Sequence, residues 1–455
     1  KMWSRFYKHS GPMMAAAISF YFILSSVPLT LLGFSILGMD GCGLRGERYG
    51  PQLYGKVFNV AVPKESDISI DVVSVRWSDW QKITPAPLCS LTTHYGIMGP
   101  MDDKLYSRHF GGSAKKTYDQ IWRGVRVIGI DIIPVEYDKR LGVRFMKSAV
   151  ISVSHTGGKL PICDKRLYHP VMGKMYKALL VNPESAIPEN YVCSRIWNPD
   201  SGAELLVITN SDYLEDAHPW IDWKLFMGMP TIVALTDTIG STVADISDFV
   251  YNAYHNWAIP PIYLLIIGDT EQIPTYTDYT YIIDDLYYCT VDGSDIFPDI
   301  LPGRVSVDNN TQLQVFVRKL LNYEKEPDTT DDWYARAIGI VRRDDCSYMG
   351  PVDSSYVAAV EYAMEQCSLA GFTSTPVFIN CDGVTYDDFA PYFIAGCNFS
   401  SFRGQAVYDW WDPFGGLTTL PSGKRLPIYV SITCAMGTYH MDCLLYTSPS
   451  PRDLS

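Results

Sequence analysis

Histidine is scarce in this chain: 455 residues hold eight, and none falls between His255 and His440. Over that span, the side chain that most readily moves a proton near neutral pH is missing. No Cys-x-x-Cys pair occurs among the eleven cysteines, at 42, 89, 163, 193, 289, 346, 367, 381, 397, 434 and 443. A zinc knuckle and a thioredoxin-like motif are thereby excluded. The EF-hand pattern is also lacking. Positive charge is in deficit, with 37 Lys and Arg against 50 Asp and Glu and a net charge of −13. That balance argues against nucleic acid or an anionic membrane surface as the main partner. Hydrophobic content of 47% with 19% charged residues excludes wholesale disorder, and the length suits two or more domains.

Two ends stand apart from the rest. Met13–Gly38 carries no charge across 26 positions and follows Lys1, Arg5 and Lys8. About 20 apolar residues span a bilayer as a helix, whereas the apolar core of a signal peptide is about 7–15 residues. Residues 1–39 therefore read as a membrane- or signal-like segment, with membrane association through residues 13–38. This piece resembles the first helix of the ribonuclease BN-like family of bacterial inner-membrane proteins, and nothing later continues that likeness. The chain opens on Lys rather than Met and reads as a fragment. The tail CLLYTSPSPRDLS, Cys443–Ser455, looks like translated adapter read-through and reads as non-native.

Between the ends the texture changes once. Residues 50–181 show short alternating runs, VFNVAV, ISIDVVSV and GVRVIGIDIIPVEYD, the last turning at Lys139-Arg140 into GVRFMKSAVISVSH. Period-2 alternation broken by turn residues predicts an antiparallel β domain. Residues 182–203, rich in Pro, Asn and Ser, read as an exposed linker. From 204 to 442, apolar strands alternate with helices: ELLVITN, HPWIDWKLFMGM, TIVALTD, STVADISDFVYNAYHNWA, PIYLLIIGD, ARAIGIV, SSYVAAVEYAMEQCSLAG, TPVFIN, FAPYFIAG and LPIYVSITC. That order predicts an α/β fold with a mostly parallel, doubly wound sheet. Ligands in such sheets bind outside the carboxyl ends of the strands. Asp269, Asp344, Gln405 and Cys434 fall at or just after strand ends and are expected to converge on one rim.

The stretch from YLLIIGDTEQIP through YTYIIDDLYYCTVDGSDIFPDILPGRVSV is similar to the core of the gingipain-like cysteine peptidases. Asp285, Tyr287, Tyr288, Asp292, Gly293, Asp295, Pro298, Asp299, Gly303 and Arg304 carry the likeness. QLQVFVRKLLNYEKEP and WYARAIGIV continue it, and RGVRVIGIDIIPVEYDKRLGVRF is similar to the family's N-terminal prodomain. The resemblance covers roughly residues 50–442. It implies a caspase-like, gingipain-type α/β domain with a β-rich prodomain, a secreted or cell-envelope location, and peptide or protein substrates. Thr433-Cys434-Ala435-Met436-Gly437 stands where the family has its nucleophile. Gln405 stands where the family has its catalytic histidine, with Ala406 in the place of the following glycine.

A cysteine attacks a carbonyl as thiolate, and a free thiol with pKa near 8.5 supplies only a few per cent of that form at neutral pH. Glutamine can donate and accept hydrogen bonds but cannot shuttle a proton. Three outcomes stay open: another base serves, His440 or Asp344; the chain binds peptides without cutting them, as a pseudo-peptidase; or position 405 reflects a damaged assembly. The family's oxyanion site implies backbone groups at Gly404, Ala406 and Cys434. Arg403, Trp410, Trp411 and Asp353 are candidates for substrate contact, and Arg403 could instead pair with an acid such as Asp409. The chemistry requires no cofactor. Calcium is implied only as a structural ion near Asp292, Asp295 and Asp299, where Asp-Gly-Ser-Asp also reads as a tight turn. Taken without the family likeness, Cys434 reads as a buried thiol and His440 as a packing or surface residue.

Overall fold

The computed structural model describes residues 42–45, 51, 53–85, 102–159, 162–189, 191, 197–277, 283–344, 346–347, 351–404 and 424–432. The chain divides into two compact units between Val192 and Cys193.

In the N-terminal unit the alternating runs become β1 (Cys42–Arg45), β2 (Leu53–Val62), β3 (Lys64–Trp77), β4 (Phe110–Trp122), β5 (Val125–Asp138) and β6 (Gly142–Lys159). They form an antiparallel sheet ordered β1-β2-β5-β6-β3, with β4 also paired to β5. The β4–β5 turn takes positive φ at both Arg123 (46°) and Gly124 (78°), the two-residue hairpin geometry that matches strand twist. At the β5–β6 turn Asp138 accepts the N–H groups of Arg140 and Leu141, so the turn expected at Lys139-Arg140 forms there. Val62, Ile128 and Ile130 build one apolar cluster, and Leu53, Tyr106, Val135, Tyr137 and Val143 another. The unit's described α-helices are the four-residue α1 (Asp103–Tyr106) and α2 (Pro170–Leu179).

The linker expected over residues 182–203 is folded at both ends. Asn182 exchanges two hydrogen bonds of 2.9 Å with the backbone of Ala61, and Ala186 is buried. Near its other end the Trp197 indole N–H donates to the carbonyl of Gly202, and Gly202 bridges to Ile259. Asn, Ser and Pro serve caps and short 3₁₀ turns as well as open linkers, so composition alone did not separate the two.

The C-terminal unit is α/β, but its parallel strands are shared between two four-stranded sheets. The first comprises β7 (Leu205–Thr209), β8 (Thr231–Leu235), β9 (Tyr263–Ile267) and β12 (Leu301–Val305), in the order β12-β9-β7-β8. A small hairpin of β10 (Tyr276–Thr277) and β11 (Ile283–Asp284) lies between β9 and β12 in sequence. Helices α3 (Ser211–Phe226), α4 (Thr236–Ile239), α5 (Val243–Asn256) and α6 (Asn310–Glu324) accompany this sheet in the chain. Trp220 and Ile221 of α3 and Leu313, Val317 and Leu320 of α6 pack with Val207, Leu265 and Val305. Helix α3 starts ahead of the HPWIDW run because Asn210 caps it, accepting the N–H of Tyr213. Helix α5 opens on a capping box between Thr242 and Asp245.

The second sheet comprises β13 (Ala337–Arg342), β14 (Val377–Ile379), β15 (Phe399–Gly404) and β16 (Ile428–Ile432), in the order β14-β13-β15-β16. Helix α7 (Pro351–Leu369) lies against β13 at Gly339, where an added Cβ would stand 2.4 Å from a methyl of Val360. Helix α8 (Tyr386–Ala395) supplies Phe389 and Phe393 to a core with Ile338, Ile340 and Phe402.

Among the described residues no helix is long and apolar enough to cross a membrane. Met13–Gly38 and Cys443–Ser455 lie outside them.

Candidate active site

Strand order in the second sheet creates a switch point. The chain leaves β13 toward β14 on one side and returns to β15 on the other, and such divergence opens a crevice at the carboxyl ends of the two strands. Arg342, the last residue of β13, is opposite Gly404, and Arg403 is opposite Ile432 of β16. Gln405 follows Gly404 directly in sequence, and Cys434 follows Ile432 by two residues. Gln405, Ala406, Trp410, Trp411, Cys434 and His440 themselves lie outside the described residues. The strands that lead into Gln405 and Cys434 are immediate parallel neighbours, and β13, which leads to Asp344, flanks β15 on its other side.

Of the four residues expected on one rim, the two described ones follow strands of different sheets. Asp269 follows β9 of the first sheet by two residues, whereas Asp344 follows β13 of the second. One alternation of strands and helices reads the same whether its strands pair in one sheet or two. Burial of Asp269 raises its carboxyl pKa, and its backbone N–H donates to the side chain of Gln272.

Asp344 is exposed, and its own backbone is held firmly. Its N–H donates to Asp353 Oδ1 at 2.9 Å, from a carboxylate buried in the first turn of α7. The other oxygen, Asp353 Oδ2, faces Arg343 Nε at 3.8 Å. Asp353 thus secures the segment after β13 from within. One residue earlier Asn380 clasps the backbone of Arg343, accepting its N–H at 2.8 Å and donating to its carbonyl at 3.0 Å. A disulfide then joins Cys346 to Cys381. Asn380 and this bond were not singled out from the sequence. Both cysteines were visible there, but spacing does not choose one pairing among eleven.

The Arg403 guanidinium lies over the ring of Tyr356 in α7, 5.1 Å from its centroid, a cation–π contact. Gly404 is a position of close approach: a Cβ there would stand 2.5 Å from the carbonyl oxygen of Arg342.

The Gly-Asp to Gly-Arg stretch proves to be an internal clamp. Arg304 binds Asp285 through two parallel hydrogen bonds of 2.7 and 2.8 Å, both side chains buried. Its remaining Nη1 donates to the carbonyls of Gly268 and Ile273. The flat guanidinium thus ties β12, the turn after β9 and the segment after β11 together. Tyr288 donates its hydroxyl to the carbonyl of Pro274. Asp299, fully buried, accepts the N–H groups of Val291 and Asp292 at 2.9 and 2.7 Å, and Asp295 accepts that of Phe297. These carboxylates are turned toward backbone donors, as in a tight turn. Among the described residues no group of three or more His, Cys, Asp or Glu is placed to hold a metal ion.

Four described cysteines are free and buried: Cys163, Cys289, Cys367 and Cys397. Burial pushes the thiols of Cys163, Cys367 and Cys397 up to about 12, so they stay protonated and inert at neutral pH.

A sequence model for peptidase family C25 matches residues 198–449, more than half of the chain. Lys-gingipain of Porphyromonas gingivalis is 30% identical over 248 residues, covering 50% of this chain and 13% of that protein. Gingipain R2 of the same organism is 23% identical over 409 residues, covering 85% of this chain and 54% of that protein. This chain therefore spans about half of one relative and a much smaller share of the other. Among solved structures, that of the Arg specific cysteine proteinase gingipain R aligns with a TM-score of 0.48 at 22% identity, over 57% of this chain and 61% of that one.

Proposed function

We propose that this chain, which belongs to peptidase family C25, is a cysteine endopeptidase whose nucleophile is Cys434 and whose turnover is slowed by Gln405. The observation that carries this reading is the parallel pairing of β15 with β16 at the edge of a switch point. A nucleophile and its partner that follow neighbouring strand ends can act on one carbonyl.

In the reaction so drawn, the Cys434 thiolate attacks the scissile carbonyl and forms a tetrahedral oxyanion. Backbone N–H groups at Cys434 and beside Gly404 and Ala406 donate to that oxygen. The leaving amine must then gain a proton. Gln405 can orient the substrate by hydrogen bonding but has no proton to give at neutral pH. Asp344 is our candidate to carry it, its carboxylate taking the proton that the Cys434 thiol loses and passing it to the amine. Its exposure and the two ties that hold its segment at the end of β13 support this role. Water then hydrolyses the acyl-enzyme and returns the thiol. His440 is the second candidate, from its place six residues after Cys434. Arg403, Trp410, Trp411 and Asp353 remain candidates for shaping the substrate cleft. Asp353 acts there through the Asp344 segment that it secures. No cofactor enters this reaction. The disulfide fits an oxidising compartment, so we place the protein outside the cytosol, acting on peptides or proteins.

One observation favours a second reading, a peptide-binding pseudo-peptidase. General acid–base help contributes about 10²–10⁴-fold in rate, and the chain offers no histidine between His255 and His440 to supply it. The deciding test treats the full chain with a peptidyl electrophile at neutral pH and locates the adduct by mass spectrometry. Rapid modification confined to Cys434 and absent from Cys434→Ala supports the peptidase. Slow modification spread over several thiols supports the pseudo-peptidase.

A further inference from the structure

Three of the residues that follow β13, Arg343, Asp344 and Cys346, are each tied to another element. Arg343 is clasped on both backbone groups by Asn380, Asp344 is held by the buried carboxylate of Asp353, and Cys346 is bonded to Cys381. Two of the three ties reach the same short turn, Asn380–Asp382, after β14, and the third reaches the first turn of α7. The segment so gripped follows directly from β13, whose last residue, Arg342, is opposite Gly404 at the end of the strand that leads into Gln405. The ties differ in chemistry. Asp353 is buried, and no reagent in solution alters a hydrogen bond to backbone selectively. Cys346 is exposed and Cys381 half-buried, so their bond can be reached and cut by a thiol.

We propose that the Cys346–Cys381 disulfide is a redox-sensitive positioning device for this rim, holding the Asp344 segment in place so that its reduction slows reaction at Cys434. The proposal rests on the peptidase reading above. It gives the two sulfur sites opposite requirements, because Cys434 must be a free thiol while Cys346 and Cys381 must stay joined. A small dithiol such as dithiothreitol attacks one sulfur of the pair and forms a mixed disulfide. It then closes into its own cyclic disulfide. Two electrons and two protons thereby pass to Cys346 and Cys381, which leave as thiols. Reduction that opens this bond then lowers activity.

The test uses the full chain before and after graded dithiothreitol treatment and desalting, beside a Cys346→Ser/Cys381→Ser double variant. Hydrogen exchange is followed in peptides covering residues 343–347. The rate of Cys434 alkylation by a peptidyl electrophile is resolved into affinity and maximal rate. On cutting the bond, exchange at 343–347 is expected to rise. The maximal alkylation rate is expected to fall by about tenfold to a hundredfold, the usual loss from small misplacement of a reacting group, with affinity little changed. The double variant shows the same lowered rate and no longer responds to dithiothreitol. Unchanged exchange at 343–347, with both thiols shown free by mass, overturns the proposal by itself. So does an unchanged alkylation rate. A chain whose Cys434 reacts in neither redox state instead overturns the peptidase reading, and with it the catalytic half of this one.

Discussion

Arg304 sits in a site that leaves it no alternative partner from solvent. Both it and Asp285 are buried, and its other donors meet backbone carbonyls. Removing one member of a buried pair strands the other charge, which costs about 3–5 kcal/mol. Arg304→Ala is therefore expected to lower the unfolding free energy of the C-terminal unit by that amount, read as a lower midpoint at unchanged slope in guanidinium unfolding. Both residues stood out in the sequence, but only as part of a family likeness. Their role as a clamp depends on contacts across 19 positions of chain, which no local pattern reports. At the residue that follows β15, Gln405→His restores a titrating group where the family has one. It is expected to raise cleavage of a fluorogenic peptide by about 10²–10⁴-fold, with Cys434→Ala silent in either background. A Gln405→His chain no faster than the parent would mean that the position does not face the reacting carbonyl.

Hairpins and strand ends are where single contacts become element stability. Asp119 on β4 and Arg126 on β5 form a two-pronged pair with both distances at 2.8 Å, just inside the Arg123-Gly124 turn. Arg126 reaches on to the carbonyl of Ser66 in β3, so one guanidinium spans three strands. Hydrogen bonding to Arg126 lowers the Asp119 pKa from 3.8 to about 2. A depressed carboxylate adds stability above its unfolded pKa and loses it as pH falls through the folded value. The N-terminal unit is thus expected to lose this contribution between about pH 4 and pH 2. Following the Asp119 carboxyl carbon by NMR should show a midpoint near 2 that returns toward 3.8 in Arg126→Ala. At the β13–β15 edge, Gly404→Ala forces a Cβ to within 2.5 Å of the Arg342 carbonyl oxygen. Separation of these strand ends is expected, with faster hydrogen exchange at residues 399–404 and slower alkylation of Cys434.

At the scale of the whole molecule, thiol reactivity reports the fold. Cys163, Cys367 and Cys397, with pKa near 12, are expected to resist iodoacetamide at pH 7.5 in the folded chain and to react fully in guanidinium, as counted by mass. Alkylation of any of them in the folded chain would contradict their burial. The α/β and antiparallel regions were legible in the sequence because period-2 alternation and continuous apolar strands arise from neighbours a few residues apart. ELLVITN became β7, TIVALTD became β8 and LPIYVSITC became β16 for that reason. The strand FSSFRG, which leads to Gln405, carries Phe, Ser and Arg without a clear period and takes its place by pairing between β13 and β16. By itself, the sequence determined where the periodic and continuously apolar strands and the helices form, and which residue types stand beside Cys434 in the chain. Only the tertiary structure decided that the parallel strands sort into two sheets, that Asp269 and Asp344 serve different ones, and that Cys346 pairs with Cys381. Those outcomes turn on which of many distant partners wins a competition for burial and hydrogen bonds, and no short stretch of chain contains both competitors.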